Sequence, residues 1–359
     1  MKIPSSTTAD FSAAPGGHGR ILDLDVLRGL AAAAVVLFHY TVRYGQLYSF
    51  NSPPAFHATY GFYGVELFFC ISGFVIFMTL ERTREPLDFV VSRVSRLWPA
   101  FLAAIVLTWS LVHIFGLPGR DASGMQALEN ATMIPDLLHV PLVDPVYWSL
   151  QVELIFYCWM LFAFATGLLR HVRLLLIASL IPPLIYLCAS RFAHHELSYI
   201  AGVILMVKYI PFFVVGMIAY RARSRASLRS IDIAIYLAAV IIAGLYLSPV
   251  DGLIAAAGGL ILFAASRGRL SWIARGPLIF LGTISYTLYL IHQNIGYMII
   301  RGLTTHGVSG NVSVLLAIVT SVALATLLTL TIERPVRQWI RSAYRNFRIR
   351  QKESVAIVP

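Results

Sequence analysis

The chain has 359 residues, of which 58% are hydrophobic and only 13% are charged. Because a soluble domain carries about 25% charged residues, this composition excludes an ordinary soluble enzyme and indicates an integral membrane protein. The net charge of +11 does not indicate nucleic-acid binding, since the basic residues lie in short clusters between apolar segments, as in membrane proteins.

Apolar segments of about 20 residues, the length that crosses a bilayer, recur along the whole chain. They predict an all-α, polytopic fold with about ten transmembrane helices. In chain order, the predicted spans are Val26–Val42, Phe62–Leu80, Leu97–Phe115, Trp148–Leu168, Leu174–Ser190, Ile200–Tyr220, Ile231–Leu247, Leu253–Ser266, Pro277–Ile300 and Val312–Ile332. We assign residues 21–340 to one membrane domain, between a disordered tail at 1–20 and a basic tail at 341–359.

The basic residues predict the orientation of these spans in the membrane. If the N-terminus is cytoplasmic, 23 of the 28 Lys and Arg residues fall in inner segments. The outer segments then hold only Arg43, Arg120, Arg191 and Arg301. Because inner segments of membrane proteins are enriched in basic residues, both termini are predicted to be cytoplasmic. The basic C-terminal tail is then expected to lie on the anionic inner leaflet.

Four ionisable side chains lie within spans at similar predicted depth, towards the outer leaflet: His39, Glu66, Glu153 and His292. Ionisable groups are costly in a bilayer, so each is a functional candidate. A His–carboxylate group in a dry cavity suits general-base catalysis on a hydroxyl, whereas hydrogen bonding between packed helices is the simpler explanation. Arg28 precedes His39 by about three helical turns, which predicts that both share one face of the first span.

Arg93 and Arg96 lie at the inner mouth of the third span, where their spacing places them on one helix face. Two guanidinium groups so placed form a fork for phosphate, although membrane anchoring by basic residues explains the pair more simply. The three cysteines, Cys70, Cys158 and Cys188, show no metal-binding spacing, so we expect neither a metal site nor a disulfide framework.

Six motifs, distributed in order along nearly the whole chain, resemble those of the membrane-bound acyltransferase 3 family. They are Arg28 with His39; Gly64-Val65-Glu66-Leu67-Phe68-Phe69 with Ser72-Gly73-Phe74; Arg93 with Arg96; Trp148-Ser149-Leu150 with Val152-Glu153; Ser285-Tyr286 with Leu288-Tyr289-Leu290-Ile291-His292; and Glu333-Arg334-Pro335. The family includes bacterial O-acyltransferases that modify surface glycans. One position departs from the family pattern, because Leu154 stands where a second acid usually follows Glu153.

The resemblance implies a multi-pass O-acyltransferase of the bacterial inner membrane that takes acyl-CoA, most often acetyl-CoA, from the cytoplasm. Arg28, Arg93 and Arg96 are then expected to bind the phosphate groups of this donor. The acceptor is expected to be a hydroxyl of a glycan or lipid-linked sugar. Some relatives carry an additional hydrolase-like domain, and no such domain is expected after the last span of this chain.

The resemblance also implies roles for residues in the membrane. His39 is expected to act as general base or transient acyl carrier, with Glu66 or Glu153 orienting its imidazole. Trp148, Tyr289 and His292 are expected to contact the acceptor.

A proton-coupled transporter or flippase of a glycan or lipid intermediate is the alternative function, because intramembrane His and Glu side chains also form proton relays. Pro182, Pro183 and Pro211 would then break the fifth and sixth spans, as in transporters with discontinuous helices. A passive scaffold for glycan synthesis is a third interpretation, and it leaves the intramembrane ionisable groups unexplained.

Overall fold

The computed structural model describes residues 22–193, 198–224 and 229–356, and within these ranges the chain forms helices joined by turns and loops, without a strand. The predicted all-α class is therefore confirmed for the described residues. The predicted disordered tail at 1–20 lies outside them.

The described α-helices are α1 (Leu22–Phe38), α2 (Tyr44–Tyr48), α3 (Gly64–Leu80), α4 (Pro86–Phe115), α5 (Gly124–Asn130), α6 (Trp148–Ala165), α7 (Val172–Cys188), α8 (Tyr199–Ile204), α9 (Ile210–Ser224), α10 (Ser230–Tyr246), α11 (Pro249–Ser266), α12 (Gly276–Thr305), α13 (Gly310–Leu328) and α14 (Arg334–Ala356). A π-helical turn, His39–Arg43, joins α1 to α2, and a second, Thr329–Glu333, joins α13 to α14. The segment after α4, which the sequence predicts to be an outer segment, carries α5 and leads through the short turn Pro145–Tyr147 into α6.

Six helical segments of the described chain are long and apolar enough to cross a membrane. They are 61–80, 86–115, 145–165, 168–191, 249–266 and 310–351. The chain is therefore a multi-pass membrane protein, while the number of ten spans and the cytoplasmic termini stay predictions. The central helix α12 is not one of these six segments, because it is long enough to cross a membrane but more polar than they are. Its polar side chains, including those of His292 and Asn294, are buried inside the bundle.

The predicted span Ile200–Tyr220 is wrong as one continuous helix, because the structure divides it into α8 and α9. The break lies at 205–209, where Met206 has a positive φ of 49°. Pro211 is not the cause, since it lies in the first turn of α9, where a missing N–H is tolerated. Pro182 and Pro183 lie within α7, which continues through them, so the expected break in that span is also wrong.

Helices α1 and α12 pack closely because glycines face each other across their interface. A Cβ atom at Gly29 would lie 2.6 Å from the backbone nitrogen of Gly282, and one at Gly282 would overlap the carbonyl group of Asp25. Gly73 of α3 and Gly216 of α9 allow a similar approach between those two helices. Small residues at such positions are the usual means of bringing transmembrane helices together.

We expect Gly282→Ala to destabilise the protein by about 1–3 kcal/mol, because the added methyl group meets backbone atoms that no side-chain rotation can move. The matched control is Gly302→Ala in the same helix, where an added Cβ has no neighbour within 4 Å. Thermal melting of the two purified variants in detergent measures the difference. Equal melting temperatures in Gly282→Ala and wild type would show that the close packing is not needed.

Candidate active site

Two imidazole groups from different helices meet in the interior of the bundle. Nδ1 of His39, the first residue of the π-helical turn, lies 3.0 Å from Nε2 of His292 in α12. The ring centroids are 4.9 Å apart, and the planes meet edge to face at 62°. His292 is fully buried, whereas His39 is half-buried. The pair therefore joins an accessible imidazole to one that is shielded from solvent.

The hydrogen bonds of His292 determine which nitrogens carry protons. Its Nδ1 lies 2.8 Å from the carbonyl oxygen of Tyr289 and 3.2 Å from that of Leu288. Carbonyl oxygens only accept, so in the neutral ring Nδ1 donates and Nε2 is the acceptor. Nδ1 of His39 is then the donor to His292, and it also lies 2.9 Å from the carbonyl oxygen of Val35. This arrangement leaves Nε2 of His39 unprotonated and basic.

Tyr40, next to His39, holds α1 against α12 at this point. Its hydroxyl donates to the carbonyl oxygen of His292 at 2.6 Å and, since its proton is used there, accepts from Ser321 of α13 at 2.7 Å. The Tyr40 ring lies over Gly296, where any side chain would overlap it. The π-helical turn inserts an extra residue at this point, a feature frequent at functional sites.

Two arginines lie near His39. Arg43 and Arg120 both lie close enough to act on the charge of this imidazole. Arg120 belongs to the segment after α4, and its Nε is buried without a hydrogen-bond partner. Both belong to the four arginines that the sequence predicts to lie in outer segments. The sequence used them only to predict membrane orientation and did not indicate that they lie near His39. The ring of Tyr297 also lies near, 6.4 Å from that of His39.

A second polar region lies deeper and contains the three predicted donor-binding arginines. Arg28, Arg93 and Arg96 line one cavity, together with side chains of α3, α6 and α12. Arg93 is 8% exposed, and its Nε has no hydrogen-bond partner. Its guanidinium lies over the rings of Phe89 and Tyr157, at 5.7 and 5.8 Å from the centroids. Among the described residues, no carboxylate forms an ion pair with Arg93 or Arg96.

Glu153 lines this deeper cavity rather than contacting His39. Its Oε1 accepts a hydrogen bond from Ser72 of α3 at 3.0 Å and a second, short one from Tyr157 of its own helix. The expectation that Glu153 orients His39 is therefore wrong, because the partner of His39 is an imidazole. Similar depth along two helices does not make their side chains meet, and these two belong to different parts of the site.

Glu66 does not contact His39 either, and it does not line the cavity. Its surroundings include Asp251 of α11 and Cys70 of α3, and its Oε2 is buried without a hydrogen-bond partner. The position of Glu66 on α3 turns it towards α11, so the expectation that it orients His39 is also wrong.

Tyr289 connects the cavity to the histidine pair. Its hydroxyl lies 2.6 Å from Oγ of Ser149, both residues line the cavity, and its ring lies 5.8 Å from that of His292. His292, which the sequence predicts to contact the acceptor substrate, instead forms a hydrogen bond with His39. Trp148 packs against Tyr209, with centroids 5.1 Å apart, and is not part of the cavity wall.

Asp144, a residue that sequence reasoning missed, fixes the outer segment to α12. Its fully buried carboxylate accepts from the backbone N–H of Val146 at 3.2 Å and from that of Asn294 at 3.1 Å. The amide of Asn294 donates in turn to the carbonyl oxygen of Val143 at 2.9 Å. The sequence does hold one signal for this contact, since Asp144 followed by Pro145 is typical of a helix N-cap.

Glu333, from the last of the six motifs, supports α12 from the opposite end. Its Oε2 accepts from Thr287 of α12 at 2.8 Å, and Oε1 pairs with Arg337 at 3.2 Å. Glu333 closes the second π-helical turn and is buried. The motif therefore positions a helix and does not line the cavity.

Comparison with known proteins gives one family and one named relative. Residues 21–330 match a family described as an acyltransferase domain. A Komagataeibacter xylinus protein, BcsY, whose name describes a membrane-bound transacylase, is 30% identical over 299 residues, covering 75% of this chain and 71% of that protein. No solved structure is significantly similar to the chain. The family match includes all the candidate site residues from Arg28 to His292.

The proton arrangement predicts different reactivities for the two histidines. Diethyl pyrocarbonate acylates an accessible, unprotonated imidazole nitrogen, so His39 should be modified and buried His292 should not. Exposed His306 is the matched reference, since its Nδ1 also lies against a backbone carbonyl oxygen, at 2.7 Å. Peptide mass spectrometry of the folded protein in detergent identifies the sites. Modification of His292 before His39 would contradict the assignment.

Proposed function

Because the chain belongs to the acyltransferase family that matches residues 21–330, we propose that this membrane acyltransferase transfers an acyl group from cytoplasmic acyl-CoA to a hydroxyl of a cell-surface or exported glycan. We place it in the bacterial inner membrane. One observation carries the proposal: an arginine-lined cavity extends to Tyr289, beside the histidine pair. The arginines would hold an anionic donor, and the pair would supply a base.

The charge of the cavity supports an acyl-CoA donor. Acyl-CoA carries several phosphate groups, and guanidinium groups bind phosphate through paired hydrogen bonds. Three guanidinium groups line the cavity, and Glu153 is the only carboxylate among its lining residues. The pantetheine arm would then extend from the arginines towards Tyr289.

We propose that the donor is acetyl-CoA, which is the acyl-CoA that the resemblance of the six motifs most often implies.

The transfer step uses Nε2 of His39 as general base. Nε2 removes the proton from the acceptor hydroxyl while its oxygen attacks the carbonyl carbon of the thioester. The carbon–sulfur bond of the tetrahedral intermediate then breaks, and the protonated imidazole returns the proton to the leaving thiolate. The products are the acylated hydroxyl and free CoA, and His39 is neutral again. No residue other than His39 changes protonation.

The surroundings of His39 support the other requirements of this step. The hydrogen bond between Nδ1 of His39 and His292 fixes the ring so that Nε2 is free. Arg43 and Arg120 supply positive potential where the oxyanion of the intermediate would form. The half-buried position of His39 beside the outer segment leaves this side for an acceptor hydroxyl.

We expect His39→Ala and His39→Gln to lower acyl transfer by at least about a hundredfold, because general-base catalysis contributes about 10²–10⁴-fold. Each variant would be expressed in the source bacterium lacking its own copy of the gene. Label transferred from radioactive acetyl-CoA to the glycan and lipid fractions of its membranes measures activity. His306→Ala is the control and should match wild type. A folded His39→Ala protein with normal transfer would refute the mechanism.

Substitution of Glu153 and substitution of Glu66 should have different effects on activity. Glu153→Ala leaves the buried hydroxyl of Tyr157 without its acceptor, which destabilises the protein by about 1–3 kcal/mol. Because the Tyr157 ring lies under the guanidinium of Arg93 in the cavity wall, its displacement should also raise KM for acyl-CoA. Glu66→Gln should change neither KM nor kcat by more than about twofold, because Glu66 contacts neither the cavity nor His39. The same transfer assay, run at varied acetyl-CoA concentration, separates the two. A larger defect in Glu66→Gln than in Glu153→Ala would overturn the division of roles.

A further inference from the structure

The C-terminal helix α14 packs along the inner half of α4 instead of extending away from it. Tyr344 donates a hydrogen bond to Asp88 at 2.7 Å, and Arg348 forms a paired ion contact with Glu85. Each of these side chains therefore meets a carboxylate at the start of α4. The two helices run in opposite directions, so residues nearer the start of α14 meet residues deeper along α4.

Arg341 breaks this pattern of contacts. Its Nε donates to the hydroxyl of Ser95 at 3.3 Å, and among the described residues no carboxylate forms an ion pair with it. Ser95 lies between Arg93 and Arg96 on α4. Arg341 also lies within electrostatic range of both and of Arg337. Positive charges from two helices, α4 and α14, therefore lie close together near the arginine-lined cavity.

This cluster lacks enough negative charge to balance it. Glu333 pairs with Arg337. Glu153 lines the cavity but accepts hydrogen bonds from Ser72 and Tyr157, and among the described residues no carboxylate forms an ion pair with Arg93, Arg96 or Arg341. Like charges at short range oppose one another, and the buried Nε of Arg93 has no hydrogen-bond acceptor. A bound anion would relieve both deficits. Phosphate is an anion whose geometry matches the planar fork of a guanidinium group.

The positions of the arginines order the phosphates of a bound donor. Arg93 is buried and lines the cavity, whereas Arg341 is exposed and does not line it, although it contacts Ser95 between the two lining arginines of α4. In CoA the pyrophosphate joins the pantetheine arm to the nucleoside, and the ribose carries a separate 3′-phosphate at the far end. With the thioester end near Tyr289, the pyrophosphate lies near Arg93 and Arg96, and the 3′-phosphate reaches beyond these lining arginines.

We propose that Arg341 of the C-terminal helix binds the ribose 3′-phosphate of the acyl donor and so distinguishes CoA from its dephosphorylated form. This inference rests on the proposed acyl-CoA donor. It makes α14 part of the donor site, whereas the sequence predicts a tail that lies on the lipid. The shared chemistry is phosphate recognition, for which an anionic lipid headgroup is the competing source.

The test is direct binding to protein in nanodiscs of neutral phosphatidylcholine, measured by calorimetry with CoA and with dephospho-CoA. Arg341→Gln should weaken CoA binding at least tenfold and leave dephospho-CoA binding unchanged. Arg345→Gln is the matched control, because it removes the same charge from an exposed site on the same helix for which no hydrogen bond or ion pair is described. Arg341→Lys should give an intermediate loss, since it keeps the charge without the planar fork.

The outcomes separate this inference from the proposed function. Equal losses in Arg341→Gln and Arg345→Gln, or equal losses for CoA and dephospho-CoA, overturn the role of Arg341 and leave the acyl-CoA donor standing. A folded wild-type protein that binds neither ligand overturns the donor itself. The third outcome is that protein in nanodiscs containing phosphatidylglycerol binds this lipid through Arg341, while CoA binding does not depend on Arg341. That outcome assigns the site to lipid headgroups and also overturns the inference.

Discussion

The hydrogen bond from Tyr40 to the carbonyl oxygen of His292 is the contact on which the active-site geometry depends. It joins Tyr40, the neighbour of His39, to the backbone of His292 itself and fixes the register of α1 on α12 to within one residue. The bond forms only because Gly296 leaves room for the Tyr40 ring. Facing glycines near the other ends of the two helices keep the axes close over their whole common length. A displacement of either helix would separate His39 from His292.

The bilayer explains why the interface between α1 and α12 lies inside the bundle. Lipid offers no hydrogen bonds, so polar side chains of a spanning helix must find partners within the protein. Helix α12 buries its serine, histidine, glutamine and asparagine and packs against α1, α13 and α4. Hydropathy alone therefore underestimates the number of helices at the centre of this fold, because a helix with several polar side chains can bury them all inside the bundle. The same enclosure fully buries His292, while His39 stays half-buried.

The sequence predicts the spans well because their signal is local. Apolar segments mark α3, α6 and α13 to within a few residues, and the spacing of Arg93 and Arg96 correctly places both on one cavity wall. The break before α9 has no comparable signal, since the apolar segment continues through Met206. Contacts between helices are a different matter. Depth along a helix is readable to about one turn, but rotation and neighbours depend on packing.

The partner of His39 is one contact that could not be predicted, because the sequence does not show how each helix is rotated. A His and two acids at similar depth favour a His–carboxylate pair, and nothing in the spacing indicates that Glu153 turns to Ser72 and Tyr157 instead. The motif containing His292 marks this residue as a candidate without indicating that it contacts His39. Arg120 and Asp144 lie in the outer segment, where no periodic pattern indicates which loop residue folds back onto a helix.

An imidazole partner has a consequence that a carboxylate would not have. When a His–carboxylate pair takes up a proton, its net charge becomes zero, but the His39–His292 pair becomes a cation in a low-dielectric site. Arg43 and Arg120 oppose that cation further. Protonation of the pair is therefore costly unless a negative charge lies beside it. In the proposed mechanism the oxyanion of the intermediate supplies that charge, so the imidazolium is offset only while transfer takes place.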